Sequence, residues 1–330
     1  MKPPRSCCAL DAVPVSWGRR SRRWLVGVLL VALAPALAGG CGDRRSEVVV
    51  YAAQDRVFAE PVLNEFERAT GFRARALYDS EATKTVGLAN RLMAESGRPQ
   101  ADLWWSNEEM RTRQLVERGV LEPGFQSMGG RRRVLVVRTN SELARAGMGS
   151  VSLTTLTNAA WHGRVAMAYP VFGSTTTHFL VLREKWGEAA WKTWCRAMAA
   201  NRPLVVDGNS VVVRLVGRGD ADVGLTDSDD VAFGWREGLP VVAVALPESE
   251  GLRLPNTLAF VSGLRHREAA AALAEFLQGP WVLQRLREEG AIDPDTGPVV
   301  PGEGLTEDRW SVLLRGMDAS LEWLRETFVR

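Results

Sequence analysis

Acidic residues crowd one short stretch of this 330-residue chain, Asp227-Ser228-Asp229-Asp230. Adjacent carboxylates repel one another and favour a cation between or beside them. With Asp55 and Glu108, the pair Asp229 and Asp230 offers hard oxygen donors suited to a hard metal ion. The same aspartates, Asp227 included, also suit the first turn of a following helix, where acidic groups meet the positive end of its dipole. The two roles are compatible. A second set of residues points to the opposite charge. Ser80 and Thr83, then Ser174, Thr175 and Thr176, then Asn209 and Ser210, each fall at the start of an expected helix. Hydroxyls and open backbone N–H groups at helix N-termini hold phosphate, phosphonate or carboxylate groups, and Gly173 and Gly208 permit close backbone approach. Any one of these sites reads first as an N-cap. Three at strand-to-helix turns, where clefts form in α/β sheets, point to an anion site. Taken with the aspartates, they suit a zwitterion carrying an amine and an acidic group.

These residues must be positioned by alternating strands and helices. Short apolar runs predict strands at Val48–Tyr51, Arg73–Tyr78, Ala101–Trp105, Val134–Val137, Val165–Ala168, Leu204–Val206, Val223–Thr226, Val241–Ala245 and Leu258–Val261. Helical spacing is expected between them, with helices over 176–199, 210–216 and 231–236, and a final block at 267–278, 281–289 and 306–327. Such alternation implies mostly parallel sheets flanked by helices, here divided between two α/β lobes. Trp104 and Trp105 are adjacent on a strand and so point to opposite faces, one toward a core and the other within reach of a cleft. Trp186, Trp191 and Trp194 share a helix and read as packing. His178 is the histidine nearest the proposed cleft, and a core or surface role competes there with ligation.

Composition narrows the function. Residues 1–40 hold six cations (Lys2, Arg5, Arg19, Arg20, Arg22, Arg23) against Asp11. Without them the totals of 41 basic and 39 acidic residues become 35 and 38, so no basic stripe remains for nucleic acid. The basic stretch, the apolar run Trp24–Ala38 and Leu37-Ala38-Gly39-Gly40-Cys41 read as a signal peptide with a lipobox over 1–40. Cys41 is then the lipidated residue of a tether over 41–46, although a membrane helix is the competing reading of the apolar run. Ser21-Arg22-Arg23-Trp24-Leu25 resembles a twin-arginine signal. Beyond this segment only Cys195 remains, and it reads as a small buried hydrophobe. No Gly-x-Ser-x-Gly elbow, His-Glu-x-x-His motif or phosphate-binding Walker loop occurs, so an enzyme is not expected.

Several blocks together carry a family likeness: Val48-Val49-Val50-Tyr51-Ala52-Ala53-Gln54-Asp55, Phe66-Glu67-Arg68-Ala69-Thr70-Gly71, Asp79 to Thr85, Pro99 to Glu108, Val206-Asp207-Gly208-Asn209-Ser210 and Gly224 to Asp230. In this order they resemble the ferric-iron-type solute-binding proteins of ABC importers, within family 1 of extracellular solute-binding proteins. The resemblance implies a two-lobe, type II-like periplasmic binding protein with its ligand in the interlobe cleft. Lobe one is then 47–131 plus 252–330, with the C-terminal helices free to pack on either lobe, and lobe two is 132–251. The chain would cross near Arg132 and return near Pro255. Ferric iron is implied as a transported ligand, with no required cofactor, and the partners implied are an ABC permease and its ATPase. The family's adjacent iron-binding tyrosines match Asp229 and Asp230 here, its histidine matches Asp55, and its carboxylate matches Asn107, beside Glu108. That replacement keeps open a small phosphonate or phosphate-type anion as the ligand. The connection between Leu121 and Arg133 is shorter than the family usually carries, which bears on cleft opening and hinge motion. A periplasmic sensor or adaptor of the same fold, or an exported hydrolase, stands as the rival reading.

Overall fold

The computed structural model describes residues 47–78, 84–146, 151–294 and 305–329. The leader, Cys41 with its tether, and the turn bearing Ser80 and Thr83 lie outside the described residues. Val48 to Tyr51 form the centre of β1 (Glu47–Ala52), buried on both faces as an unbroken apolar run requires. β1 runs parallel to β2 (Arg73–Leu77) on one side and to β3 (Leu103–Ser106) on the other. The connecting helices are α1 (Arg56–Thr70) and α2 (Lys84–Ala94), and α3 (Glu109–Glu117) follows β3.

The next strand is much longer than its apolar signal. Val134–Val137 is the predicted strand, yet β4 spans Gln126–Arg138. Its first half is rich in polar and glycine residues because it faces polar partners rather than a core, so the period-two apolar pattern is missing there. Residues 126–132 pair antiparallel with β9 (Arg253–Phe260), and residues 133–138 pair with β7 (Val223–Asp227) and β8 (Val241–Ala245). β9 in turn pairs with β3. With β5 (Val165–Ala168) and β6 (Leu204–Val206), the order is β2-β1-β3-β9-β4-β7-β5-β6, and β8 sits beside β4. Two strands therefore join two α/β lobes into one curled sheet. The register of β4 shifts between Ser127 and Gly130. Gly129 takes φ +68° in this bulge, and a Cβ there would lie 2.6 Å from Cδ1 of Ile292.

The remaining helices are α4 (Glu142–Ala146), α5 (Gly173–Trp186), α6 (Glu188–Ala200), α7 (Asn209–Arg218), α8 (Ser228–Arg236), α9 (Arg267–Leu277), α10 (Pro280–Glu288), α11 (Glu307–Arg315) and α12 (Met317–Phe328). The single helix expected over 176–199 is two. Gly187, at φ 81° and ψ 152°, separates α5 from α6 in a conformation open to glycine alone. Leu135, Met167 and Leu225 of the sheet pack with Phe179, Trp191 and Trp194 in one large core. The C-terminal helices add Trp310, Leu313, Leu324 and Phe328 to that same core, so they settle on α5 and α6. Cys195 is buried there as a small apolar group. Trp104 and Trp105 are both fully buried, on opposite faces, and neither reaches a cleft.

Gly224 of β7 tests this packing. A Cβ at that position would stand 2.3 Å from Cγ1 of Val212 and 2.9 Å from Cγ1 of Val136. Gly224→Ala should therefore lower stability by about 1–3 kcal/mol, the usual range for overpacking. The urea midpoint at constant slope measures this, and a midpoint equal to that of the unaltered protein would contradict the close approach.

Candidate functional site

The C-terminal ends of β1, β3, β5, β6 and β7 deliver their turns to one cleft with about 550 Å³ of open space. At its back stands Asp227, the last residue of β7 and 1% exposed. Its carboxylate accepts from Arg133 Nη1 at 2.6 Å, Ser174 Oγ at 2.6 Å and Asn209 Nδ2 at 3.1 Å. Arg131 adds Nε at 3.2 Å and Nη2 at 3.1 Å. Burial alone would raise the Asp227 pKa, but the Arg133 and Arg131 guanidiniums outweigh it and hold the carboxyl at about 2. Arg131 also lies 3.2 Å from Asp229 Oδ1 and donates to the carbonyl oxygen of Asn107. Both arginines come from the crossing segment of β4. Asp227 therefore serves as the anchor of the site, and not as the cap of α8, to which its side chain makes no capping bond.

Of the residues singled out by sequence, Asp55, Ser174, Thr175, Asn209, Asp229 and Asp230 line this cleft. Ser210 instead faces an adjoining hollow, which Asp55, Asp229 and Asp230 also border. Two expectations fail. Glu108 is fully buried, and its carboxylate caps α3 by accepting from Met110 N at 2.8 Å and Arg111 N at 3.1 Å. Thr177 Oγ1 donates to it at 2.9 Å, which leaves it no path to a ligand. Burial raises its pKa against the pull of Arg111. Thr176 sits one residue past the cleft-facing turn of α5, with its hydroxyl enclosed in protein. His178 likewise belongs to the interior. Its Nε2 meets the Glu250 carbonyl at 2.6 Å, and Arg133 Nε lies 3.4 Å from Nδ1.

Sequence reading passed over Arg131, Tyr169, Phe172 and Asp207, all of which line the cleft. The available signals were the triplet Arg131-Arg132-Arg133 leading into an apolar strand, and Tyr169 directly after β5. Among the described lining residues Arg131 is the only cation, set against the carboxylates Asp55, Asp207, Asp227, Asp229 and Asp230. One guanidinium plus the more distant Arg133 leaves the cleft negative, which favours a cationic group in the ligand. The oxygens of Asp227, Asp229 and Asp230 lie within 4.8 Å of one another, close enough to hold a metal ion. Asp227 is already saturated by its arginines, hydroxyl and amide, so a metal would draw on Asp229, Asp230 and their neighbours.

The helix starts supply the opposite preference. α1, α5, α7 and α8 all begin at the cleft, and their N-cap residues Asp55, Phe172, Gly208 and Asp227 give no side-chain capping bond. The first N–H groups of each helix have no intrahelical acceptor and present partial positive charge. In α1 and α8 nearby aspartates offset that charge. In α5 and α7 the Ser174 hydroxyl and the Asn209 amide are spent on Asp227, so the donors left for an oxyanion are the open backbone N–H groups.

Two tests follow from the buried groups. Asp227→Asn should destabilise the fold by about 3–5 kcal/mol, because buried Arg133 loses its counter-charge and Arg131 is left with Asp229 alone. Calorimetric melting reads this directly, and a shift of less than a degree would refute the anchor role. His178 gives a pH signature. Burial and Arg133 depress its pKa to about 3 from the ordinary value near 6.5, so the folded state keeps it neutral where the unfolded chain takes up a proton. Its contribution is present above pH ~6.5 and is lost as pH falls toward 3. The slope of melting temperature across that window should flatten in His178→Gln.

A family model described as bacterial extracellular solute-binding protein matches residues 48–291. The major ferric iron-binding protein of Neisseria meningitidis serogroup A is 24% identical over 271 residues, covering 76% of this chain and 72% of the relative. The protein of that name from Neisseria gonorrhoeae is 23% identical, covering 82% and 86%. The ferric binding protein from Campylobacter jejuni superposes with a TM-score of 0.71 at 14% identity, over 86% of this chain and all of that one. The periplasmic binding protein AfuA from Actinobacillus pleuropneumoniae, solved with exogenous fructose-6-phosphate bound, gives 0.68 at 17% identity over 86% and 99%. Among the described residues no helix is long and apolar enough to cross a membrane. The strand order, the crossing pair β4 and β9 and the match over most of the chain agree: it belongs to the bacterial extracellular solute-binding proteins.

Proposed function

We propose that this solute-binding protein is exported, anchored through a lipidated Cys41, and hands a small zwitterion to an ABC permease and its ATPase. The proposed ligand carries a protonated amine and a phosphate or phosphonate group. The observation that carries this reading is the two-sided polarity of the cleft. Asp55, Asp229 and Asp230 form an anionic wall, while α5 and α7 begin at the cleft with backbone N–H groups that no side chain caps. An amine meets the first wall through charge-assisted hydrogen bonds, and an oxyanion meets the second through the open backbone N–H groups of α5 and α7. We further propose lobe boundaries of 47–131 plus the segment from 252 through α10 for the first lobe and 132–251 for the second, with the C-terminal helices α11 and α12 packed on the second. Contacts across the mouth fit a closing hinge. Phe58 of α1 meets Phe233 of α8 edge-on at 6.5 Å between ring centroids, and Arg236 lies 3.2 Å from Glu289. A ligand that touches both lobes favours the closed state by the difference in its contacts between the two states.

Ferric iron is the second reading, favoured by the Asp227, Asp229 and Asp230 oxygen cluster and by the iron-binding relatives. Three hard carboxylates fit a ferric ion by donor type. The two internal arginine counter-charges oppose it. Native mass spectrometry of the gently purified protein separates the readings. A co-purified organic mass containing nitrogen and phosphorus is the expected outcome, and an added mass of iron alone would replace it with the metal reading.

The aspartates give a sharper test. Replacing Asp229 and Asp230 together by Ala should weaken binding of 2-aminoethyl phosphate at least about 100-fold, close to 2.7 kcal/mol, in isothermal titration. Unchanged affinity in the double variant would remove the aspartates from the ligand shell.

A further inference from the structure

The turn that follows α10 reaches out of one lobe and holds a helix of the other. Ala291 and Ile292 pack into the core built on β1, β3 and α1, so the turn is rooted in the first lobe. Its backbone is pinned to the crossing strand, where Asp293 N donates to the Gly130 carbonyl at 2.8 Å. From that base it touches α8 at three heights. At the C-terminal end Glu289 lies 3.2 Å from Arg236. In the middle Gly290 comes so close that a Cβ there would stand 3.0 Å from Cβ of Ala232. At the N-terminal end Asp293 Oδ1 accepts from Ser228 Oγ at 2.7 Å. The Ser228 hydroxyl is the junction, because it also accepts from Arg132 N at 3.0 Å. Asp293 Oδ2 lies 3.2 Å from Arg132 Nη1 and closes the ring. The backbone bond to Gly130 already holds the turn, so the Asp293 side chain is left to act on α8.

We propose that Asp293 is a positioning residue for ligand binding, acting through Ser228 on Asp229 and Asp230. The two aspartates follow Ser228 directly and line the cleft. They sit in the first turn of α8, whose backbone N–H groups have no intrahelical acceptor and where a helix frays most easily. Tying the first residue of α8 to β4 and to the first lobe fixes the direction of both carboxylates before a ligand arrives. Groups held in place beforehand lose less freedom on binding. At metal sites, removing a hydrogen bond that supports a ligating group costs about 10- to 100-fold in affinity. Asp293 belongs to one lobe and the aspartates to the other, so this bond also keeps the anionic wall in step with β4 where the lobes join. The inference deepens the proposed reading and rests on the ligand role of Asp229 and Asp230, and it holds for an amine or a metal ion alike.

Isothermal titration of the purified protein with 2-aminoethyl phosphate, and in parallel with ferric nitrilotriacetate, provides the test. Asp293→Ala and Ser228→Ala should each weaken the probe that binds about tenfold, and the double variant should be no weaker than either, since both break one bond. Asp293→Asn keeps an acceptor oxygen for Ser228 and loses only the charge, so its affinity should stay within about twofold of the unaltered protein. Melting temperature follows the ion pair with Arg132 and falls in both Asp293 variants, whereas affinity falls in Asp293→Ala alone. That split separates positioning from folding. Affinity that tracks melting temperature across the variants, or that is unchanged in Asp293→Ala and Ser228→Ala, would overturn the positioning role alone. If neither probe binds the unaltered protein, the ligand reading falls and this assignment falls with it.

Discussion

The structure depends on one buried carboxylate, Asp227, held between two arginines of the same strand. Removing a carboxylate from water costs several kcal/mol, and a second ion in good geometry is needed to offset it. Here Arg131 and Arg133 alternate along β4 and close on Asp227 from the paired strand β7, whose register sets Arg133 opposite Asp227. Ser174 and Asn209 bind the same carboxylate, so the starts of α5 and α7 are fixed by it. The group that anchors the crossing strand also aims two helix dipoles into the cleft. Beyond Asp227, the carboxylates that line the cleft are Asp55, Asp207, Asp229 and Asp230.

A second set of contacts ties α3 to its neighbours. Thr177 of α5 reaches the Glu108 carboxylate that caps α3, and Thr112 meets Thr257 of β9 at 2.7 Å. Arg113 grips Glu307 of α11 and lies over the Trp310 ring at 5.0 Å. These contacts gather at the rear, near the crossing strands, where a hinge moves least. On the other side of the cleft Phe58 meets Phe233 and Arg236 meets Glu289.

The strand and helix grammar was legible because buried parallel strands are short apolar runs between helical segments, as in β1, β5 and β7. Two features were hidden. The polar half of β4 carries no apolar period, since its arginines are satisfied by residues almost a hundred positions away. The break at Gly187 was masked by apolar spacing that continues on either side of it. The cleft itself was largely readable, because turns after parallel strands converge at one edge and the motifs at Asp55, Ser174, Asn209 and Asp229 all mark such turns. Glu108 misled because cap and ligand use the same residue type, and only its enclosure by Thr177 decides between them. Tyr169 and Asp207 carried no distinctive spacing.

The settling of α11 and α12 on the α5–α6 core has a consequence for how the chain matures. Trp310, Leu313, Leu324 and Phe328 seal apolar surface contributed by residues more than a hundred positions earlier. Ribosomes deliver the polypeptide from its N-terminus, so this surface stays uncovered until the final two dozen residues have been made. The first half-sheet also waits, because β9 must slot between β3 and β4. The first lobe is complete once β9, α9 and α10 are made, and the second lobe closes last, when α11 and α12 arrive.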